Sequence, residues 1–402
     1  MPNHVDSRSA AAQSERVISL GPGLPAIPER LLLAHARGEV LFLAGAGISM
    51  PAGLPSFAEL VKQVYAKLDG SVYRVIDDGT KVDDQRNADL NHQQIAEILR
   101  YRRRDFDVVL GMLERRIDDR PSSGSRVRAA IAEILRDPPR SPAPIHKVLM
   151  RLSERGGDST IVTTNFDVLL QQALGRRSRV ETYALGAIPR PSRRPDFNGV
   201  LHLHGVLAQD ARRASEFVVT DQDFGEYYMR RRGIPDFIYD AARLFHLVLV
   251  GYSADDPPMR YLLNAVAADV NRFSDLKDRF TFVGQDQLNH VELEDWKGRG
   301  IEPIPYDRTG SHAKLLALLE RWAELSAING DPRVVEKEVR RIVKLARPAA
   351  SEPDRDLFDH LFRRSSNVER AQLAAVASKA NAHISWLDAI ATILREPAGY
   401  HA

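Results

Sequence analysis

Apolar residues along this chain follow two alternating rhythms. Short aliphatic and β-branched runs predict strands at Val40–Ala44, Thr160–Thr164, Val200–His204, Glu216–Thr220, His246–Gly251 and Phe280–Gly284, with a last one at Glu302–Tyr306. Between them the spacing turns helical, most clearly at Phe106, Val109, Leu110, Leu113 and Ile117, which share one face. Strands alternating with helices predict an α/β fold with a Rossmann-like, mostly parallel sheet. Residues 58–157 read as a mainly helical insertion after the first strand, with 69–90, rich in Asp and Gly, as a surface loop. The breaker cluster Ile328-Asn329-Gly330-Asp331-Pro332 opens an all-helical C-terminal region, 329–402. There Leu373, Val376, Ala380, Ile384, Leu387 and Ile390 form one amphipathic stripe. The organisation expected is an N-terminal extension over 1–30, its first fifteen residues mobile, then a ligand-binding domain over 31–328 and the helical region.

Composition narrows the class. Of 402 residues, 44% are hydrophobic and 27% charged, which suits a globular domain with a sizeable core. A formal net charge of +2 gives no bulk attraction for nucleic acid, and the arginine runs Arg102-Arg103-Arg104 and Arg230-Arg231-Arg232 read as solvated faces. No apolar run reaches membrane-spanning length and no apolar leader is visible, so the expectation is a cytoplasmic protein. The absence of cysteine excludes disulfides, a thiol nucleophile and cysteine-ligated zinc.

Four strand ends carry candidate chemistry. After Val40–Ala44 come Gly45-Ala46-Gly47, Ser49 and Gly53-Leu54-Pro55-Ser56-Phe57. Small residues at a buried strand's end let backbone N–H groups approach a pyrophosphate, or simply make a tight turn. Thr163-Thr164-Asn165-Phe166-Asp167 follows the second strand, and its helix carries Phe166, Leu169, Leu170, Ala173 and Leu174 on one face. The polar residues there line a ligand crevice, or cap the helix. Leu201-His202-Leu203-His204-Gly205 ends another strand; no third ligand accompanies its two histidines, so a metal is not expected, and His202 reads as structural. The fourth is Val248-Leu249-Val250-Gly251-Tyr252-Ser253-Ala254-Asp255-Asp256-Pro257, where Ser253 and Asp255 start a helix through Tyr261, Leu262 and Leu263.

In order and placement these motifs, over about 40–310, resemble the sirtuin family. The resemblance implies an NAD pocket. Gly45, Ala46, Gly47 and Ser49 would cradle the pyrophosphate, and Phe57 would stack near the nicotinamide and gate it. Thr164 and Asn165 would face the ribose, Asn165 also orienting a water, and Asp167 would hold the carboxamide. His204 would serve base catalysis or bind the 2′/3′-hydroxyls, and Gly251, Ser253 and Asp255 would serve the adenosine side. A short β excursion at Val180–Gly186 would account for the longer interval between Asn165 and His204.

Departures from that family are informative. Thr164 stands where it has Gln, Ala58 stands where deacylases have Arg, and 206–250 contains no Cys for the zinc module that builds the acyl-lysine channel. The chain is therefore closer to the sirtuin-fold NAD hydrolases of bacterial anti-phage defence. That resemblance implies cleavage of NAD, as substrate, to nicotinamide and ADP-ribose without zinc. It also implies a HerA-like ATPase as partner. An unrestrained NAD hydrolase would deplete its host, and the helices of 90–119 and 367–395 are surplus to an NAD domain, so a homo-oligomer with its contacts in the helical insertion or the C-terminal helices is expected. Three other readings stay open: an ADP-ribosyltransferase or deacylase, a non-catalytic NAD or ADP-ribose sensor, and an unrelated phosphate-binding α/β enzyme.

Overall fold

Val17–Ser19 (β1) and Ala26–Pro28 (β2) pair antiparallel and lead into the helix Glu29–Ala36 (α1). The computed structural model describes residues 16–82, 89–118, 124–174, 180–186, 188–192, 198–208, 216–253, 276–287 and 289–395. The chain divides into two compact units, one joining 1–38 to 320–402 and the other spanning 39–319. In the first, β1 lies against the helix Glu352–Arg363, and Glu29 is buried beside His360 Nδ1 (3.3 Å) and Arg363 Nη1 (3.3 Å). Burial alone would raise the Glu29 carboxyl, but the His360 hydrogen bond and the charge of Arg363 hold it down at about 2. The fully buried Trp386 packs its ring 4.5 Å from Phe358 and donates Nε1–H to the Leu345 carbonyl at 2.8 Å.

The expected C-terminal stripe is not one surface. The helices Asn367–Lys379 and Ile384–Arg395 are separated by a turn in which Asn381 has φ +57°. Leu373, Val376 and Ile390 are buried, whereas Ile384 and Leu387 point to solvent. A break in the helix resets its phase, so the register read across Ala380 does not carry over.

The second unit is built on Val40–Ala44 (β3). All five of its residues are buried, as both faces of the strand are covered. Glu154–Arg155 (β4) turns back antiparallel onto Asp158–Thr163 (β5); Thr182–Tyr183 (β6), Gly199–His202 (β7), His246–Val250 (β8), Arg279–Gln285 (β9) and Glu302–Asp307 (β10) complete an eight-stranded sheet. Its order is β10-β9-β8-β3-β5-β7-β6, parallel apart from β4, so the fold is α/β and Rossmann-like, with a helical C-terminal region. From β3 the chain runs outward through β5 and β7 on one side, then returns to β8 on the other. The order reverses at β3 and β8, and the carboxyl ends of such a pair flank the ligand crevice of open α/β sheets.

Among the described residues, six helices of eight residues or more separate β3 from β4: Phe57–Leu68 (α2), Gly70–Asp78 (α3), His92–Arg102 (α4), Phe106–Ile117 (α5), Arg126–Arg136 (α6) and Pro144–Leu152 (α7). Much of the expected loop at 69–90 is instead α3, because Asp69 Oδ1 accepts the N–H groups of Ser71 and Val72 and the helix buries Val72 and Val75. Buried among these helices is an ionic cluster. Arg116 binds both oxygens of the fully buried Glu97 (2.8 Å each) and Asp69 Oδ2 (2.7 Å), and Tyr65 donates its hydroxyl to Glu97 at 2.9 Å.

Residues 216–220 are not a strand. Phe217 and Val219 are buried as expected, but their backbone is satisfied by side chains: Arg128 donates to the Phe217 carbonyl, and Asp223 Oδ2 accepts the N–H groups of Val219 (3.0 Å) and Thr220 (2.9 Å). The excursion at Val180–Gly186 is only the two-residue β6. The expected helix through Tyr261–Leu263 lies outside the described residues. Among the described residues no helix is long and apolar enough to cross a membrane.

Candidate functional site

The carboxyl ends of β3, β5 and β8 are stitched together at one oxygen. The Ala44 carbonyl accepts Thr163 Oγ1–H (2.8 Å), Thr164 N–H (3.2 Å) and the Tyr252 hydroxyl (3.2 Å). Thr163 Oγ1 in turn accepts Asn165 N–H at 3.0 Å, and Thr164 Oγ1 lies 3.2 Å from the Tyr252 hydroxyl. A Thr pair at the end of a buried strand therefore sets the direction in which Asn165 leaves the sheet.

The glycine loop is shaped by its neighbour strand. Gly47 N–H donates to the Gly251 carbonyl at 2.9 Å, and a Cβ on Gly45 would lie 2.6 Å from that same oxygen. The N–H groups of Gly45, Gly47 and Ser49 bond to the carbonyls of Val250, Gly251 and Ala46. Three of the four amides expected at the pyrophosphate are thus bonded within the chain, and the exposed Ala46 has no such bond among the described contacts. The close approach that needs glycine here is that of Gly251, itself at φ +77°.

Ser49 is buried and its hydroxyl gathers three partners. It donates to Asp167 Oδ2 (2.9 Å), receives Asn165 Nδ2–H (3.0 Å), and lies 3.2 Å from His146 Nε2. Asp167 Oδ1 accepts Leu169 N–H at 3.0 Å, which starts the short helix Leu169–Ala173 (α8). Phe166 turns away between them and packs on Phe217 at 4.7 Å. Asn165 itself is buried, and its Oδ1 has no hydrogen-bond partner among the described residues. A buried amide oxygen left unpaired is costly unless a ligand or water supplies a donor.

His202 carries the structural role expected. Its Nδ1 meets the Asn165 carbonyl at 2.7 Å and its Nε2 meets Gln171 Nε2 at 2.7 Å, so Nδ1–H donates and Nε2 accepts. His204 is bonded elsewhere, its Nε2 lying 2.6 Å from the Tyr228 hydroxyl with Phe224 edge-on at 5.6 Å. Burial pushes the His204 imidazole down to about 3. An imidazole so weakly basic suits hydroxyl binding better than the base catalysis offered as its other role.

Phe57 sits half-buried against Phe106 at 6.1 Å, within the core of the insertion. Ser253 is exposed beside Gly251, and Asp255 lies outside the described residues. Among the described residues no cluster of three or more His, Asp or Glu could hold a metal ion.

Sequence reading missed His146, Tyr228 and Tyr252. His146 is buried on α7, whose inward face is otherwise Ile145, Val148, Leu149 and Leu152. A lone imidazole on an apolar helix face was the available signal. Burial lowers its basicity, opposed by nearby Asp167.

Comparison with known proteins bears on the same residues. Residues 159–304 match the family model of the SIR2-like domain, a stretch that holds Asn165, Asp167, His202, His204 and Gly251. An uncharacterized protein of Sinorhizobium fredii is 32% identical over 392 residues, covering 94% of this chain and 30% of that protein. The chain thus spans about a third of the length of this curated relative. A solved structure reported for the mechanism and regulation of Sir2 enzymes aligns with a TM-score of 0.38 and 15% identity, covering 74% of this chain and 98% of that one. The family-model match falls on β5 to β10 of the parallel sheet.

Proposed function

We propose that this protein is an NAD hydrolase that releases nicotinamide and ADP-ribose. The observation that carries the reading is Asn165 Oδ1, buried and unpaired at the carboxyl end of β5 beside the point where strand order reverses. That acceptor suits a ribose hydroxyl or an attacking water. In the reaction the glycosidic C–N bond breaks with its electron pair leaving on nicotinamide. A water oxygen bonds to the ribose carbon and releases its proton to solvent. The cationic leaving group makes an oxocarbenium-like path accessible, so the protein chiefly has to orient and enclose. Asn165 is assigned to the ribose and water, Asp167 to the carboxamide and His204, neutral, to the ribose hydroxyls. Ala46 N–H is assigned to the pyrophosphate, and Thr164, Gly251, Ser253 and Asp255 to the rest of the cofactor.

Depletion of NAD during phage infection, in a homo-oligomer with a HerA-like ATPase, is the biological setting we propose from the motif resemblance. The decisive experiment incubates purified wild type and Asn165→Ala with NAD and follows nicotinamide. Release by the wild type alone supports the reading. ADP-ribose appearing on a protein acceptor instead would favour a transferase, and binding without turnover would favour a sensor. Light scattering on the active preparation tests the oligomer, and a one-chain mass with full activity would remove it.

A further inference from the structure

The contacts around Ser49 fix the direction of each of its hydrogen bonds. Ala143 N–H points at His146 Nδ1 at 3.1 Å, so that nitrogen holds its lone pair. The proton of a neutral ring is then on Nε2, where it faces Ser49 Oγ at 3.2 Å. Ser49 has a single proton, which goes to Asp167 Oδ2, and two lone pairs. Those are filled by His146 Nε2–H and Asn165 Nδ2–H. With no further proton to give, Ser49 can meet only the NH₂ end of Asn165, so Oδ1 faces the other way, where it has no partner.

We propose that His146 is a positioning residue that acts through Ser49 to hold the Asn165 side-chain amide in one orientation, with Oδ1 offered to a hydroxyl or water donor of the substrate. The hydrogen bonds of His146 go to Ser49 and Ala143 and not to Asn165. Without its Nε2–H, Ser49 has a vacant lone pair in a buried place, and both the hydroxyl and the amide gain alternative arrangements. Preorganisation of the acceptor is what is lost, which lowers turnover more than binding.

The kinetic half of this proposal rests on the NAD-hydrolase reading; the spectroscopic half does not. In apo protein labelled with ¹⁵N-histidine, His146 should show a bare Nδ1 and a protonated Nε2 at neutral pH. The Asn165 side-chain NH₂ signals, assigned by their loss in Asn165→Ala, should exchange slowly in wild type. They should become fast or broadened in His146→Ala and in Ser49→Ala. His146→Gln, which returns an N–H donor, should restore them, whereas His146→Phe, which fills the volume without a donor, should not. In the NAD assay kcat should fall by roughly tenfold to a hundredfold in His146→Ala and His146→Phe with KM little changed, and should recover in His146→Gln. A ring protonated at Nδ1, Asn165 signals indifferent to His146→Phe, or equal damage from His146→Gln and His146→Phe would overturn the proposal. If wild type releases no nicotinamide, the functional reading fails and the two apo spectra still decide this one.

Discussion

Gly47 and Gly251 meet backbone to backbone: the Gly47 N–H donates to the Gly251 carbonyl at 2.9 Å, and a Cβ on Gly47 would lie 2.9 Å from the Gly251 Cα. The loops after β3 and β8 are thereby locked together at the mouth of the crevice. Gly47→Ala must push them apart, and Gly251→Ala adds a residue held at φ +77° with its Cβ 2.7 Å from Ile48 N. Each should cost roughly 1 kcal/mol or more and lower the melting temperature. Gly186→Ala, with nothing within 4 Å of its Cβ, should leave it unchanged. Equal melting of all three proteins would contradict the interlock.

Asn165→Ala removes both the unpaired Oδ1 and the donor to Ser49. Nicotinamide release should fall by about a hundredfold to a thousandfold, the scale of losing one preorganised catalytic hydrogen bond. Circular dichroism should stay that of the wild type. Undiminished release would take Asn165 out of the reaction.

Acid should destabilise the fold from about pH 6.5 downward. His146, His202 and His204 all titrate below their ordinary value because burial disfavours the imidazolium. Below 6.5 the unfolded chain therefore binds protons that the folded chain refuses, and stability drops as pH falls, for His204 until about 3. Each such group contributes up to about 1.4 kcal/mol per pH unit. Glu29, held at about 2, acts in the same direction but only below its ordinary 4.5. Urea midpoints between pH 6.5 and 5 thus read the histidines above the range in which Glu29 acts. His204→Phe should shallow that slope, and a flat wild-type profile over the same window would refute the assignment.

Glu97 is fully buried with Arg116 and Tyr65 as partners. Glu97→Ala should cost about 3 kcal/mol or more, because it leaves the Tyr65 hydroxyl without its acceptor and the buried Arg116 with Asp69 alone. Replacing both charges, as in Glu97→Leu with Arg116→Met, should recover much of that loss in urea unfolding. A double variant weaker than the single one would argue against stranded charge as the cause.

Elemental analysis of the purified protein should find no stoichiometric zinc, and chelators should change neither melting nor NAD turnover. Bound zinc would turn attention to His202 and His204.

The legible part of this fold was what local pattern determines. Val40–Ala44 begins and ends where its apolar run does, because a strand buried on both faces is apolar throughout and Gly45 ends it. Phe217 and Val219 show the limit. Their alternation reports burial, and nothing in it says whether a neighbouring strand or the side chains of Arg128 and Asp223 will satisfy the backbone. Gly45 and Gly47 announced a close approach without naming what approaches; it is Gly251. His146 was hidden because its partner Ser49 is 97 residues away in sequence, a distance that only the folded chain closes.

The joining of 16–38 to 320–395 in one unit has a consequence during synthesis. The first of these segments is made before the second, with the whole sheet translated in between. Until then Ile18 and Ile27 lack the helices they share a unit with, and Glu29 lacks His360 and Arg363. The nascent chain therefore carries an open hydrophobic surface while the sheet is being translated, a natural binding place for the chaperones that guard unfinished proteins.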